Sequence, residues 1–128
     1  MKTLLFVGLG GALGAMARYA LSLLPLREGF PLNTLLINVA GAVVIGAVAG
    51  AAMRLPSASS NLVAFLKTGL CGGFTTFSTF SLEALSLMEN GRIGAAALYA
   101  LASVLLCLAG VWAGKSGAAL ILSQLSPS

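Results

Sequence analysis

A run of glycines and small hydroxyl residues, Gly69-Leu-Cys-Gly-Gly-Phe-Thr-Thr-Phe-Ser-Thr-Phe-Ser81, lies inside a long apolar stretch. Each glycine in a helix interior costs about 1 kcal/mol relative to alanine. Serine and threonine hydroxyls compete for the backbone groups that a helix needs. Both penalties fall on one short segment, so the sequence predicts a helix interrupted there. Within a bilayer, non-helical backbone persists only where it is buried in protein or lines a wet cavity. The segment therefore reads as a broken helix at an ion or substrate site.

The rest of the chain supports a membrane setting. Only 8% of its 128 residues are charged and 59% are hydrophobic, with a mean hydropathy of +1.03. A soluble domain carries about 25% charged residues, so the expected class is an all-α integral membrane protein. Segments of roughly 20 apolar residues can span, and four are long enough, at about 3–24, 32–53, 62–88 and 93–120, with the break near 72–79. Pro25, Gly29 and Pro31 punctuate the first loop, Pro56 to Ser60 the second, and Glu89 to Arg92 the third. Residues 1–128 thus read as a single membrane domain whose consecutive helices are antiparallel neighbours, with Ser123 to Ser128 frayed. Lys2, the apolar run and Ala15-Met-Ala17 resemble a signal peptide. The run continues past Arg18 to Leu24, however, so the segment is expected to stay as a structural helix. No basic run forms a nucleic-acid footprint. Cys71 and Cys107 both lie in apolar segments and there is no histidine, so no transition-metal site is expected.

Glycines recur four apart at Gly10 and Gly14, Gly46 and Gly50, Gly69 and Gly73, and Gly110 and Gly114. Small residues at this spacing let membrane helices approach closely. Lysines and arginines are nearly balanced. Lys2, Arg54, Lys67 and Lys115 fall on the side of the N-terminus, here side A, and Arg18, Arg27 and Arg92 on the opposite side B. Orientation follows the cationic excess of short loops. Four against three is a weak instruction, which leaves open both dual insertion with antiparallel pairing and a fixed orientation.

Several polar residues sit at membrane depth, where they are costly and usually functional. Asn38 lies in the second helix with Thr34 one turn earlier on the same face, placed either for function or as interhelical glue. Tyr99, Ser103 and Cys107 share one stripe of the fourth helix, as a polar track or a packing face. Arg18, near the end of the first helix, either snorkels to the interface or sets a positive potential at a pore mouth. Phe77 and Phe80 lie one turn apart among Thr76, Ser78, Thr79 and Ser81. Aromatic ring edges are positive, so such edges contact a small anion more weakly than a lysine does. Conduction needs that compromise between binding and release. Carbonyls freed at a helix break are hard ligands of the kind that hold sodium.

These residues resemble the Fluc (CrcB-type) fluoride channels of bacteria. Gly10-Gly-Ala-Leu-Gly-Ala-Met-Ala-Arg18-Tyr19 is similar to that family's glycine-rich first helix. Thr34-Leu-Leu-Ile-Asn38 resembles its second-helix motif, and Gly69 to Ser81 its third-helix signature. Tyr99 and Ser103 fit its fourth helix. The resemblance covers nearly the whole chain. It implies an antiparallel, dual-topology homodimer in the bacterial cytoplasmic membrane, with passive export of fluoride as its role. It also implies a structural sodium held by the backbone carbonyls of Gly72 and Thr75 from both subunits. Phe77 and Phe80 would line the fluoride path, Asn38 would donate to the ion, and Thr76, Ser78, Thr79, Ser81, Tyr99 and Ser103 would complete the polar surroundings. Arg18 would face a vestibule. Two positions depart from the family pattern. Asn33 replaces a frequent glycine and is expected to act as an N-cap. Cys107 stands where relatives can carry a hydroxyl.

Other classes fit less well. A proton-coupled small multidrug exporter shares the size and the four helices but needs a carboxylate deep in its first helix. Thr3 to Leu24 contains none. A purely structural membrane subunit accounts for the glycine pairs but not for the clustered polar residues. No nucleophile–base pair or metal triad suggests an enzyme.

Overall fold

The computed structural model describes residues 1–26, 28–55 and 57–125. Among these the regular structure is entirely helical. Helix α1 spans Lys2–Ser22 and α2 spans Leu32–Arg54. A third path begins with α3 (Ser60–Val63), widens into a π-type stretch over Ala64–Cys71 and closes with α4 (Gly72–Phe74). Helix α5 covers Phe77–Glu89 and α6 covers Ile93–Leu125. Helices α1, α2 and α6 are each long and apolar enough to cross a membrane. They are apolar on every side, as expected of helices facing lipid or a membrane-protein core. The chain is a multi-pass membrane protein.

Consecutive helices touch, α1 with α2 and α5 with α6, but the closest packing lies elsewhere. It pairs α1 with the π-type stretch and α4, and α2 with α6. The glycine pairs explain why. A Cβ on Gly69 would lie 2.7 Å from the Val7 carbonyl oxygen, and one on Gly10 would lie 2.9 Å from the Leu70 nitrogen. Gly14 and Gly73 press in the same way against Phe74 and Gly11. Gly10 meets Phe65 to Leu70 while Gly14 meets Leu70 to Phe74, so the two segments run parallel. The second interface repeats the device. Gly46 lies on Val111, Gly50 on Lys115 and Gly114 on Val43 and Ala47, again in parallel register. All four glycine pairs are thus spent on close approach within one subunit.

The core is small and lies towards the side-B end. Leu35, Ala84, Leu87, Ala96 and Tyr99 are buried together, with Phe30, Leu32, Val39 and Phe80 around them. Both side-B loops are tied down. Arg92 donates through Nη1 to the Gly29 carbonyl. Gly91 takes φ +74° in the turn between α5 and α6, a conformation glycine adopts without a Cβ clash.

Two local expectations are corrected. Asn33 is not an N-cap, because α2 begins at Leu32 behind Pro31. Its Nδ2 instead donates to the carbonyls of Ser22 (3.0 Å) and Leu24 (2.7 Å). These are orphan acceptors at the end of α1, which the loop folds over the start of α2. Helix α6 does not end near 120 or fray from Ser123. It continues to Leu125, and the Ser123 hydroxyl donates to the Leu120 carbonyl at 2.7 Å. The expected fraying of residues 126–128 lies outside the described residues.

Candidate functional site: a helix interruption latched by Asn38

The helical path through Gly72–Phe74 stops at two extended residues, Thr75 (φ −82°, ψ 156°) and Thr76 (φ −148°, ψ 116°), and resumes at Phe77. Each end of the gap is satisfied by an identifiable group. Thr75 donates from both its N–H and its Oγ1 to the Cys71 carbonyl, at 3.0 and 2.9 Å. Thr76 is the N-cap of α5: its Oγ1 accepts from the Thr79 N–H at 3.2 Å and donates to Thr79 Oγ1 at 3.0 Å. Ser78 Oγ lies 3.4 Å from the same hydroxyl.

Asn38 holds the gap from α2. Its Nδ2 donates to the Thr76 carbonyl at 3.1 Å, and its Oδ1 accepts from the Thr76 N–H at 2.8 Å. A side-chain amide carries its donor and its acceptor on separate atoms, so it can pair with the C=O and the N–H of one residue's backbone at once. In an unbroken α-helix the Thr76 N–H would serve the Gly72 carbonyl and the Thr79 N–H the Thr75 carbonyl. Asn38 takes the first and the Thr76 hydroxyl takes the second. The two carbonyls so released belong to Gly72 and Thr75. On its other side Gly72 faces open space, with nothing within 4 Å of where a Cβ would stand. The intervening Gly73 carbonyl accepts from Arg18 Nε at 3.2 Å, so Arg18 also caps the end of α4.

A cleft of about 360 Å³ opens beside the gap. It gathers Asn38, Thr75, Thr76, Phe77, Phe80, Ser103 and Cys107 of the residues singled out in the sequence. The Phe77 and Phe80 rings are 5.4 Å apart, and Phe80 continues onto Tyr99 at 5.0 Å. Phe77 is 79% exposed in the single subunit, whereas Tyr99 is fully buried. Ser103 is buried, and its hydroxyl has no hydrogen-bond partner among the described residues. The stripe on α6 therefore divides: Tyr99 turns into the core, while Ser103 and Cys107 form cleft wall. Ser81 lies outside the cleft, and its hydroxyl donates to the Phe77 carbonyl of its own helix at 2.9 Å.

Sequence reasoning passed over Glu83. Its carboxylate accepts from the Thr34 hydroxyl at 2.9 Å and from the Tyr99 hydroxyl at 2.7 Å. Thr34, Thr79 and Glu83 line a second, more polar cavity of about 570 Å³ that reaches Glu28 in the first loop. The signal was present in the sequence, since an ionisable residue at membrane depth is a functional candidate by default. Among the described residues no cluster of three His, Cys, Asp or Glu side chains is placed to hold a metal ion.

Comparison with known proteins matches this arrangement to a family. The family described as CrcB-like protein, Camphor Resistance (CrcB), matches residues 5–115. A protein of Rhodopseudomonas palustris named fluoride-specific ion channel FluC is 47% identical over 88% of this chain and 93% of its own length. Proteins of the same name from Anaeromyxobacter dehalogenans and Paracoccus denitrificans are 47% and 48% identical, over 92% and 90% of their lengths and 88% of this chain in each case. The chain belongs to the CrcB family.

Proposed function

We propose that this protein is a fluoride-selective channel that exports fluoride passively across the bacterial cytoplasmic membrane, working as an antiparallel, dual-topology homodimer. In this reading α3 to α5 form one membrane span, broken in mid-bilayer at Thr75 and Thr76. The observation that carries the proposal is the gap itself: Thr75 and Thr76 stand in the wall of a cleft that also holds Phe77, Phe80, Ser103 and aliphatic side chains. Relatives named fluoride-specific ion channels are similar over nearly the whole chain.

Each side chain has a definite contribution. Asn38 spends its carbonyl and one N–H on Thr76, and its second N–H is free to meet an anion. Ser103 offers a hydroxyl without another partner. Phe77 and Phe80 present positive ring edges, which attract fluoride without trapping it. The Thr76 hydroxyl, in the cleft wall, donates to Thr79; Ser78 and Thr79 lie outside the cleft wall and would reach the ion only through that hydroxyl cluster. Ser81 and Tyr99 have their protons engaged on Phe77 and Glu83, so Ser81 supports its helix and Tyr99 positions Glu83. Arg18 caps α4 through Nε, while its remaining guanidinium N–H groups contribute positive potential at a vestibule.

The carbonyls of Gly72 and Thr75 suit a sodium ion: they are hard oxygens, their helical donors are diverted, and Gly72 faces open space. A single subunit offers few such oxygens, so a second copy would complete the shell. Bound there, the ion supplies positive charge that favours an anion nearby. The exposed Phe77 is suited to the same twofold contact.

Liposomes carrying the purified protein test the function. Rapid fluoride efflux, negligible chloride efflux and no effect of an imposed pH gradient are expected. The pH arm matters because Glu83 gives a proton-coupled exporter its one foothold. Efflux that requires the gradient would replace the channel with that mechanism.

A further inference from the structure

The side-A end carries Lys2, Arg54, Lys67 and Lys115 and no acidic side chain, because the chain's three carboxylates are Glu28, Glu83 and Glu89. An apolar slot of about 420 Å³ opens at this end, between the last turns of α2, the start of the third path and α6. Ala51, Leu55, Leu62, Leu66, Ala118 and Leu122 are among its walls, and every residue lining it is apolar. A second cavity of about 460 Å³ shares Leu55 and Leu122 with the slot and adds Arg54 and Ser123. The two cavities are neighbours across Leu55 and Leu122, one apolar throughout and the other walled in part by the Arg54 cation.

Their depth can be read from the helix register. Gly50 lies against Lys115 and Gly114 against Ala47, so Arg54 stands about level with Ala119 to Ile121. Helix α6 then runs on to Leu125, about 6–9 Å further. Its 33 residues span about 50 Å, well beyond a hydrocarbon core of about 30 Å. Arg54 therefore stands near the side-A end of α2, in the wall of the cavity it shares with Leu122 and Ser123, and the slot extends from that level back along α2 to Ala47.

We propose that this slot and Arg54 bind one anionic phospholipid, with an acyl chain between α2, α6 and the third path and the headgroup phosphate on the guanidinium. Charge complementarity selects this occupant. The sole polar donor not already engaged is cationic, since the Ser123 hydroxyl donates to Leu120. Size excludes an inserted helix. A helix about 10 Å across already fills roughly 800 Å³ in a 10 Å length, about twice the slot.

The test uses the full-length protein in detergent with equimolar phosphatidylglycerol and phosphatidylcholine of identical chains, counting retained lipids by native mass spectrometry. One cation at the headgroup level predicts about a fivefold preference for phosphatidylglycerol. Arg54→Gln should bring the ratio close to one while keeping chain retention, and Arg54→Lys should keep the preference. Ala118→Phe fills the slot and should abolish retention of both lipids. Ala51→Leu makes the same test from α2 should Ala118→Phe not fold. Equal retention of the two lipids by the unmodified protein, or an unchanged ratio in Arg54→Gln, overturns the site. So does a slot-filling variant that splits the dimer without losing lipid, which would make the slot a contact between subunits.

Discussion

Replacing Asn38 with alanine removes the one side chain of another helix that, among the described residues, hydrogen-bonds the Thr76 backbone. Two bonds are lost, at 3.1 and 2.8 Å, and a backbone donor and acceptor are left at membrane depth. An unsatisfied buried group costs about 1–3 kcal/mol. Both groups are only half-buried, so the lower part of that range applies to each, giving a total of about 2–3 kcal/mol. That weights the latched geometry down by roughly 30- to 150-fold. The chain has one way to recover part of the loss: Thr76 N–H can return to the Gly72 carbonyl as in a continuous helix. That relief re-engages one of the two released oxygens, so both outcomes lower fluoride flux. The assay is fluoride-electrode efflux from liposomes, paired with the thermal midpoint of the purified protein. Asn38→Leu, of similar volume, separates lost packing from lost hydrogen bonding and should behave like alanine. Wild-type midpoint and wild-type flux in Asn38→Ala would refute the latch.

Other substitutions probe the remaining parts. Phe80→Ile removes the ring that touches both Phe77 and Tyr99; fluoride efflux should fall at least tenfold while size-exclusion chromatography shows an unchanged assembly, and full flux would remove the ring-edge argument. Asn38→Asp places a carboxylate at the cleft and should strongly impair efflux at neutral pH, with normal efflux placing residue 38 away from the path. Glu83→Ala strands the hydroxyls of Thr34 and Tyr99 at about 1–3 kcal/mol each, so its thermal midpoint should drop further than that of Tyr99→Phe; equal midpoints would mean the carboxylate does not organise the pair. Gly14→Val drives side-chain carbon into the backbone of Leu70 and Phe74, so folded protein should be lost from membrane extracts, whereas Gly8→Val, with open space around it, should express normally.

What the sequence revealed and what it hid divide along physical lines. The interruption was legible because its causes are local: Gly72 and Gly73 weaken the helix, and the threonines that follow offer competing hydrogen bonds. The glycine pairs were legible as flat faces, but spacing within one helix does not say which other helix lies on it. The pairing of α1 with Gly69–Phe74, and of α2 with α6, emerges only in three dimensions. Asn33 was misread for the same reason. Its position suggests a cap for its own helix, and only the fold shows the end of α1 within its reach. Glu83 was passed over, because its donors Thr34 and Tyr99 lie 49 and 16 residues away and nothing near it in the chain shows the carboxylate engaged. Ser81 looked equivalent to its neighbours until its hydroxyl was seen bonded to the carbonyl one turn back.

The central claim is that the cleft beside the latched gap conducts fluoride and rejects larger halides. Its most direct test is the reversal potential of the purified protein in a planar bilayer, with sodium fluoride on one side and sodium chloride of equal concentration on the other. The account predicts a current that reverses far from zero, in the direction set by fluoride alone. A reversal at zero would mean that fluoride and chloride pass equally and would contradict it.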